Sequence, residues 1–441
     1  MASDPRLAPG GLAGLDVVVE STAPEAAPFA EFLASEDARA RLATPAKLDR
    51  DPHADVAFLD AWTPEVATRV AGLREGGALV TCFADLLLAR AGSRTVAVTG
   101  SAGKTTTTSL IVHLLRRAGI EIAAPAPGIS GNLWPDASLL AALDETFPIA
   151  LELTSSHLAF CDGSPHVAVL TSFWPDHVEL HGSLGAYAHA KEAIVRQQSP
   201  DAWLVVPDDG TCERFVSATR ARVVRFSLTS SVGQGAFLRG GRLVVRWERD
   251  EVEIADLASL PVQGRCVGNV LAACTAALAA GAAPAGLTEA LGDATVPAHR
   301  FIEVARIGGV PVYDDSMAGT PAKATAALEL FRDDSIVLVA GGETHGAGGP
   351  VQATPDERNL LEVACAVATR KARRTIVFGR AAQRLAELLP GAESADDLGD
   401  AVERAIAAAP GSDAVLIAPM FPVSPSERER VPELVLAGSR G

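Results

Sequence analysis

The segment Thr95-Val-Ala-Val-Thr-Gly-Ser-Ala-Gly-Lys-Thr-Thr-Thr-Thr108 decides the fold of this chain. Its first five residues predict a buried strand, and the apolar spacing of Leu110-Ile-Val-His-Leu-Leu115 predicts a helix after it. A glycine turn between a strand and a helix lets backbone N–H groups approach an anion, and the helix dipole adds positive potential there. The segment therefore predicts a loop that binds nucleotide phosphates.

The loop is a shortened form of the usual phosphate-binding pattern, because Val98 stands where the full pattern has a glycine. The two glycines of the loop allow close backbone approach, and Lys104 adds a cation. Thr105 opens the helix and can hold Mg²⁺. We expect the nucleotide phosphates to contact Gly100, Ser101, Ala102, Gly103, Lys104, Thr105 and Thr106.

Composition narrows the class of protein. The chain has 441 residues, enough for two to four domains, and 48% of them are hydrophobic. Its net charge of −16 and the lack of a basic stripe argue against nucleic acid as a partner. We find no apolar run long enough to span a bilayer and no signal peptide, so we expect a cytoplasmic protein that does not enter membranes. The six cysteines lack metal spacing and are expected to be reduced core residues.

Three blocks of alternating strands and helices predict an α/β chain with three domains. Residues 1–93 predict a small Rossmann-like domain, including a helix over residues 27–42. Residues 94–295 predict a central domain of the phosphate-loop ATPase kind, with a parallel sheet and antiparallel hairpins over 235–254 at its edge. Residues 296–441 predict a second Rossmann-like domain. Ligands of such sheets bind at the carboxyl ends of the strands.

Ionisable residues stand at the ends of the central strands. Glu152 lies in an otherwise apolar strand, where an unpaired carboxylate is costly to bury. A Mg²⁺ ion would remove that cost, and a salt bridge or a solvent-facing edge position is the alternative. His177 follows the next strand, and we expect it to bind metal. Lys191, taken alone, has the pattern of a surface lysine.

The third block places further polar residues around its first strand. Arg300 precedes that strand and offers a fork of donors for phosphate. Asp314 and Asp315 end the strand, and a carboxylate there is a recurrent partner of a ribose hydroxyl. Asp314 itself is better interpreted as a turn residue.

In their order and spacing these segments resemble the Mur ligases, within them most closely the branch that adds glutamate to UDP-N-acetylmuramoyl-L-alanine. The likeness spans nearly the whole chain. Gly100–Thr106 resembles the phosphate loop of the family, and Leu151-Glu-Leu-Thr-Ser-Ser156 resembles its magnesium-binding strand. Pro175-Asp-His177 and Ala190-Lys191 resemble the segment with a second metal-binding histidine and a carbamylated lysine. The remaining matches are Gly131-Asn132, Gly268-Asn269, His299-Arg300 and Asp315-Ser316.

The resemblance implies an ATP-dependent, ADP-forming ligase that uses Mg²⁺ and joins an activated carboxylate to an amino acid. The first domain would hold a substrate of the UDP-sugar type and the third the amino acid. The implied catalytic residues are Lys104, His177 and Lys191. The implied metal ligands are Thr105, Glu152, His177 and Lys191. Beyond the loop, ATP would contact Asn269, Arg300 and Asp315, and the substrates would contact Asn132, Ser155, Ser156, Met317, His345 and Ala418.

Three positions of the third block depart from the family pattern. Met317 and Gly319 stand where a lysine and a threonine are usual, and His345 replaces a lysine. Ala418-Pro419-Met420 replaces a segment that contains serine. Each change removes a cation or a donor suited to a dicarboxylate. The incoming amino acid is therefore left open between glutamate, in either stereoisomer, and another amino acid.

The first block departs as well, because Glu20 follows a strand where a glycine-rich loop is usual and Asp60-Ala-Trp62 replaces a Ser-Pro-Gly turn. Three functions remain open: a peptidoglycan ligase acting on UDP-N-acetylmuramoyl-L-alanine, an amide ligase of specialised metabolism acting on a carboxylate without UDP, and a nucleotide-binding module without ligase activity. In each case we expect small-molecule partners and a monomer.

Overall fold

The computed structural model describes residues 4–50, 53–60, 62–125, 134–176, 178–260, 264–343 and 355–438. These residues form three sheets covered by helices, which confirms the predicted α/β class. Contacts divide the chain into two compact units, the first of residues 1–173, 180–262 and 268–295, the second of residues 174–179, 263–267 and 296–441. The first unit carries two sheets and the second carries one. The predicted domain boundaries after residues 93 and 295 stay predictions.

The first sheet is parallel and has the strand order β2-β1-β3-β4. Its elements are β1 (Asp16–Glu20), α1 (Ala27–Ser35), β2 (Arg39–Ala43), α2 (Pro45–Arg50), β3 (Val56–Phe58), α3 (Val66–Glu75), β4 (Leu79–Thr81) and α4 (Phe83–Ala91). The predicted helix over 27–42 is wrong in its second half. Asp37 has a φ of +63°, which ends the helical path, and residues 39–43 pair with β1 instead. A sheet ladder overrides local helix propensity here.

The second sheet has eight strands in the order β12-β11-β10-β9-β8-β7-β5-β6. Strands β6 to β10 run parallel and β10 to β12 are antiparallel hairpins, as the sequence predicts. Its elements are β5 (Thr95–Thr99), α5 (Lys104–Arg117), α6 (Ala137–Ala141), β6 (Ile149–Glu152), α7 (Ser155–Leu158), β7 (Val167–Leu170), α8 (Val178–His181), α9 (Leu184–Arg196), β8 (Trp203–Pro207), α10 (Glu213–Ala218), β9 (Arg222–Ser227), β10 (Gly235–Arg239), β11 (Arg242–Trp247), β12 (Asp250–Asp256), α11 (Val267–Ala279) and α12 (Pro284–Gly292).

The third sheet has the order β13-β14-β18-β15-β16-β17, and only β13 runs antiparallel to its neighbour among the described strands. Its elements are β13 (Ile302–Ile307), β14 (Val310–Asp314), α13 (Pro321–Leu328), β15 (Ile336–Gly341), α14 (Pro355–Lys371), β16 (Ala372–Phe378), α15 (Ala382–Leu388), β17 (Glu393–Ser394), α16 (Leu398–Ala407), β18 (Ala414–Met420), α17 (Pro425–Glu429) and α18 (Val431–Gly438). All six cysteines are buried free thiols. No helix in the described ranges combines the length and apolarity needed to cross a bilayer.

Asp85 of α4 fastens the first sheet to the second. Its Oδ1 accepts the backbone N–H groups of Asp162 and Gly163, each at 2.9 Å, and its Oδ2 accepts the Thr81 hydroxyl at 2.9 Å. The carboxylate is buried, and this burial raises its pKa against the opposing effect of the hydrogen bonds. A buried carboxylate that accepts three hydrogen bonds fixes the relative positions of the segments that donate them.

The substitution Asp85→Ala should lower the free energy of unfolding by about 2–5 kcal/mol, because it leaves two buried N–H groups without an acceptor. Urea unfolding followed by circular dichroism measures this loss. Asp162→Ala is the matched control, since that side chain is exposed and only its backbone makes the bond. Equal unfolding midpoints for the two variants would show that Asp85 does not fix these segments.

Candidate active site

The phosphate loop follows β5, a fully buried strand between β6 and β7. Gly100 has a φ of +153° and Gly103 a φ of +83°, and α5 begins directly after Gly103. A β-carbon at Gly100 would overlap the hydroxyl of Thr171, and one at Gly103 would overlap the side-chain amide of Asn269. Both glycines are therefore required by backbone conformation and by close packing.

The residues after β7 hold the loop in shape. The Ser101 N–H donates to the carbonyl of Ser172 at 3.1 Å, and the Ala102 N–H donates to the Ser172 hydroxyl at 3.0 Å. The Thr171 hydroxyl donates to the carbonyl of Ala102. On the other side Asn269 of α11 lies against Gly103, and its contact with the nucleotide stays a prediction. The loop thus has one conformation imposed by its neighbours.

Two lysine side chains converge on one oxygen of the loop. Lys104 Nζ donates to the carbonyl of Gly100 at 3.0 Å, and Lys191 Nζ donates to the same oxygen at 3.1 Å. The two ammonium nitrogens are therefore no more than about 6 Å apart. Like charges at that distance repel by about 3 kcal/mol at an effective dielectric constant of 20. A bound anion would offset this repulsion.

Lys191 is 1% exposed, so its interpretation as a surface lysine is wrong. The structure places it beside the loop, and its role as a catalytic residue and metal ligand stays a prediction. Its Nζ also donates to the hydroxyl of Thr99 at 3.1 Å. The burial of Lys191 could not be predicted from its neighbours in the sequence, because Ala188, Ala190 and Ala193 are small residues that do not indicate which face of α9 packs on the sheet. The chain has five lysines and 33 arginines, so two of the five stand at this one carbonyl.

Glu152 is the last residue of β6 and pairs with Val98 of β5. The strand is at the edge of the sheet and the side chain is partly exposed, so the argument from a buried carboxylate is wrong. Within the described part of the chain no hydrogen bond or ion pair engages this carboxylate. Glu152 is thus an available oxygen ligand on the strand next to the phosphate loop. Thr105 lies in the first turn of α5.

The short helix α7 carries Ser155 and Ser156, two predicted substrate contacts. Ser155 is buried, and its hydroxyl lies 3.0 Å from Nε2 of His181. Ser156 is also buried. A role in substrate binding stays a prediction for both serines. This contact places His181 beside α7.

His157 closes the start of α7. The Thr154 N–H donates to His157 Nδ1 at 3.4 Å, and the Thr154 hydroxyl accepts the His157 N–H at 3.2 Å. The ring is buried against Phe83, and Nε2 has no partner among the described residues. Burial lowers the pKa of His157 to about 4, so the ring is neutral at physiological pH.

Asp314 is the last residue of a strand, and its side chain also shapes the turn that follows. It ends β14 and is buried, with its Oδ2 2.7 Å from His299 Nδ1, and its Oδ1 accepts the Ser316 N–H at 2.9 Å. Asp315 is buried behind it and donates its N–H to the carbonyl of Ile417 at 2.9 Å. Arg300 lies beside His299 and is partly buried. The nucleotide roles of Arg300 and Asp315 stay predictions.

Two predicted substrate contacts of the second unit, Met317 and Ala418, are apolar. Met317 is partly exposed, and Ala418 is buried inside β18. The Met420 N–H donates to the carbonyl of Ala318 at 3.0 Å, which fastens the loop after β14 to the end of β18. A β-carbon at Gly319 would press on the backbone of Pro422 at 3.2 Å. Gly319 and Ala418, two of the departures from the family pattern, thus lie in closely packed parts of the second unit.

Three predicted site residues, Asn132, His177 and His345, lie outside the described residues, as does the loop over 126–131. Among the residues that are described, no three histidine, cysteine, aspartate or glutamate side chains come together as a metal-binding group. The predicted second metal site is therefore represented only by Lys191.

The strand, loop and helix around Gly100 place this chain among α/β proteins that bind nucleotide phosphates. Comparison with known proteins makes the class definite. The model of the Mur ligase middle domain matches residues 98–277, and that of the Mur ligase glutamate ligase domain matches residues 299–421. The chain belongs to the Mur ligase family, which confirms the resemblance found in its sequence.

Individual relatives support this assignment. A UDP-N-acetylmuramoylalanine–D-glutamate ligase of Symbiobacterium thermophilum is 34% identical over 83% of this chain and 79% of its own. A ligase of the same name from Acidobacterium capsulatum is 33% identical over 74% of this chain and 69% of its own. Among solved structures, MurF of Thermotoga maritima in complex with ADP has a TM-score of 0.59 and 17% identity, covering 88% of this chain and 95% of its own. That likeness concerns the fold.

The substitution Gly103→Ala should lower the affinity for ADP at least tenfold. Its β-carbon would collide with Asn269, and a left-handed φ costs a residue with a β-carbon about 1–2 kcal/mol. Gly119→Ala is the matched control, because Gly119 has a φ of +77° with open space around it. Isothermal titration calorimetry should find wild-type affinity in the control. An unaltered affinity in Gly103→Ala would contradict the assignment of the loop.

His157 should make the protein less stable in acid. Between pH 6.5 and about 4 the unfolded histidine binds a proton that the folded one does not. The free energy of unfolding therefore falls as the pH falls, by about 2 kcal/mol between pH 8 and pH 5 from this residue. His157→Gln keeps a capping residue for α7 and should remove that part of the loss.

Urea unfolding at pH 8 and pH 5 measures the effect of His157→Gln. The control is His53→Gln, because this side chain is exposed and makes no hydrogen bond or ion pair among the described residues. Its loss of stability between pH 8 and pH 5 should equal that of wild type. The same loss of stability in wild type and His157→Gln would rule out His157 as its source.

Proposed function

We propose that this protein is an ATP-dependent ligase that joins an amino acid to the carboxylate of UDP-N-acetylmuramoyl-L-alanine and forms ADP and phosphate. The observation that carries the proposal is the pair of lysine ammonium groups on the carbonyl of Gly100, inside a loop whose glycines allow close approach of an anion. The names of the relatives, UDP-N-acetylmuramoylalanine–D-glutamate ligases, supply the reaction class. The protein would act in the cytoplasm as a monomer.

The reaction would take place in two steps. A carboxylate oxygen of the substrate attacks the γ-phosphorus of ATP and ADP leaves, giving an acyl phosphate. The uncharged amine of the amino acid then attacks the acyl carbon, phosphate leaves, and the amine proton is lost. Lys104 would lie beside the phosphates and offset negative charge as it moves from ATP to the substrate. This is catalysis by position and electrostatics.

The donor set of the first unit fits one Mg²⁺ ion. Glu152 is an unengaged carboxylate at the strand end, and Thr105 offers a hydroxyl in the first turn of α5, both hard oxygen ligands of the kind Mg²⁺ prefers. The metal would neutralise phosphate charge. Lys191 as an ammonium is not a metal ligand, since it has donors only. Carbamylation would turn it into an oxygen ligand and would remove its repulsion with Lys104.

The described amino-acid contacts of the second unit lack the cations and hydroxyl groups that suit glutamate. The loop after β14 presents Met317 and Gly319, and β18 presents Ala418 and Met420, in place of cationic and hydroxyl side chains. A dicarboxylate needs charged or hydrogen-bonding partners on both ends. We therefore propose that the amino-acid substrate is glutamate, in either stereoisomer, or another amino acid. An assay of each candidate identifies it.

A second candidate has a specific observation in its favour: the carboxyl edge of the first sheet is acidic. The order β2-β1-β3-β4 places the ligand crevice outside β1 and β3. Glu20 ends β1, and Asp60 follows β3, with its Oδ1 buried and without a partner in the described chain. Burial raises the pKa of both carboxyl groups. Such an edge disfavours a diphosphate and favours an amide ligase acting on a carboxylate without UDP.

The purified protein with ATP, Mg²⁺ and UDP-N-acetylmuramoyl-L-alanine should release phosphate only when a suitable amino acid is added. A panel of the common L- and D-amino acids identifies it, with phosphate release and mass spectrometry of the amide as the measurements. Lys104→Ala should reduce turnover by at least a hundredfold, because it removes a charge that stabilises the transferring phosphate.

The matched control is Arg117→Ala, at the far end of the same helix and paired with Glu289 at the surface. It should keep wild-type turnover. Phosphate release with carboxylates that lack UDP, and none with UDP-N-acetylmuramoyl-L-alanine, would replace the first function by the second. Nucleotide binding without amide formation from any carboxylate would leave only a binding module.

A further inference from the structure

Tyr187 connects the phosphate loop to the buried lysine of the same site. Its hydroxyl lies 3.0 Å from the hydroxyl of Ser101, and its ring centre lies 5.0 Å from Lys191 Nζ. Residues 187 and 191 are one turn apart on α9 and therefore share one face of the helix. Tyr187 is 1% exposed. One side chain thus touches both the loop and the cation that lies against it.

Two further aromatic contacts fix the ring of Tyr187. Phe173 stacks on it with ring centres 5.7 Å apart and planes at 17°, and the ring of His181 lies 5.6 Å away. Because these two rings pack against the ring of Tyr187, few other rotamers of its side chain are sterically allowed. The position of the hydroxyl is consequently as well defined as that of the helix.

The aromatic contacts explain the ring of Tyr187 but not its hydroxyl group. The chain contains 14 phenylalanines and two tyrosines, so phenylalanine is its usual residue for filling an aromatic position. A buried hydroxyl is costly unless it is hydrogen-bonded, and this one meets a loop residue whose own side chain is buried. The tyrosine is therefore placed for its contact with Ser101.

We infer that Tyr187 is a positioning residue: its hydroxyl sets the conformation of the phosphate loop through Ser101, and its ring holds the ammonium of Lys191 by a cation–π contact. This inference rests on the proposed function, because it concerns how the nucleotide site is held ready. Neither group needs to touch the nucleotide. The two contacts make the loop and α9 respond together to any displacement of Tyr187.

Tyr187→Phe keeps the ring and removes the hydroxyl. The Kd of ADP in the presence of Mg²⁺ should rise about three- to tenfold, the range expected for one neutral hydrogen bond. Tyr187→Leu also removes the ring, and turnover in the phosphate-release assay should fall by a further factor of about ten or more. Calorimetry gives the Kd, and thermal unfolding of each variant is measured beside it.

Tyr313→Phe is the matched control, because Tyr313 is the other tyrosine of the chain and packs between Phe301 and Phe331 of the second unit. It should leave the Kd unchanged. The double variant Ser101→Ala with Tyr187→Phe tests whether the hydroxyl of Tyr187 acts through Ser101. If it does, the two effects are not additive, and the double variant should bind ADP no more weakly than the weaker single variant.

The outcomes separate this inference from the proposed function. Equal Kd values for wild type and Tyr187→Phe would overturn the inference. It would also be overturned if Tyr187→Phe bound ADP more weakly, unfolded at a lower temperature, and had an effect on the Kd that simply added to that of Ser101→Ala. Wild-type protein that binds ADP and forms no amide would overturn the proposed function alone. Wild-type protein that does not bind ADP would contradict both.

Discussion

The carbonyl oxygen of Gly100 accepts hydrogen bonds from two lysines, and the rest of the site depends on this concentration of positive charge. One of these ammonium groups, that of Lys191, is buried, where water cannot solvate it fully. The Thr99 hydroxyl and the ring of Tyr187 replace part of that solvation. The remaining positive potential is directed at the loop, where an anion of several charges would be most strongly stabilised.

The use of lysine at both positions has a chemical meaning in this chain. With 33 arginines and five lysines, its general-purpose cation is arginine. A guanidinium is planar, always charged and unable to form a carbamate, whereas an ammonium is compact and an uncharged amine is nucleophilic. Two lysines at a single carbonyl oxygen are therefore a departure from the usual cation of this chain, and a compact ammonium group fits where a planar guanidinium would need more space.

The sequence predicted the loop well because its chemistry is local. The β-branched strand, the two glycines and the helix after Lys104 each follow from residues within a dozen positions, and the structure confirms them. The strands β9 and β13 are harder to predict, because charged residues interrupt each of them and neither contains an apolar run of more than two residues. The helix beyond Ser35 was overpredicted because pairing with β1 is a property of the sheet and not of the segment.

Side-chain roles were harder to predict because they depend on neighbours distant in the chain. Glu152 was expected to be buried, and it is partly exposed because β6 turned out to be an edge strand. Asp314 was expected in a turn, and its pairing with His299 depends on how β14 enters the sheet. Tyr187 could have been found, since its spacing of four residues from Lys191 places both on one face of a helix.

The first sheet differs from this centre in what it could bind. Arg69, the cation nearest to Glu20, already bonds both Glu20 and Asp49, so it has little capacity left for a phosphate. Burial raises the pKa of Glu20 and Asp60, because a poorly solvated environment disfavours the charged form of a carboxyl group. A diphosphate at this edge would have to displace the ion pair between Arg69 and Glu20 to gain a cation. The reaction class of the centre does not by itself select the carboxylate substrate. Glu20 and Asp60 are the charged groups at the edge of the first sheet that a substrate bound there, with or without UDP, would have to accommodate.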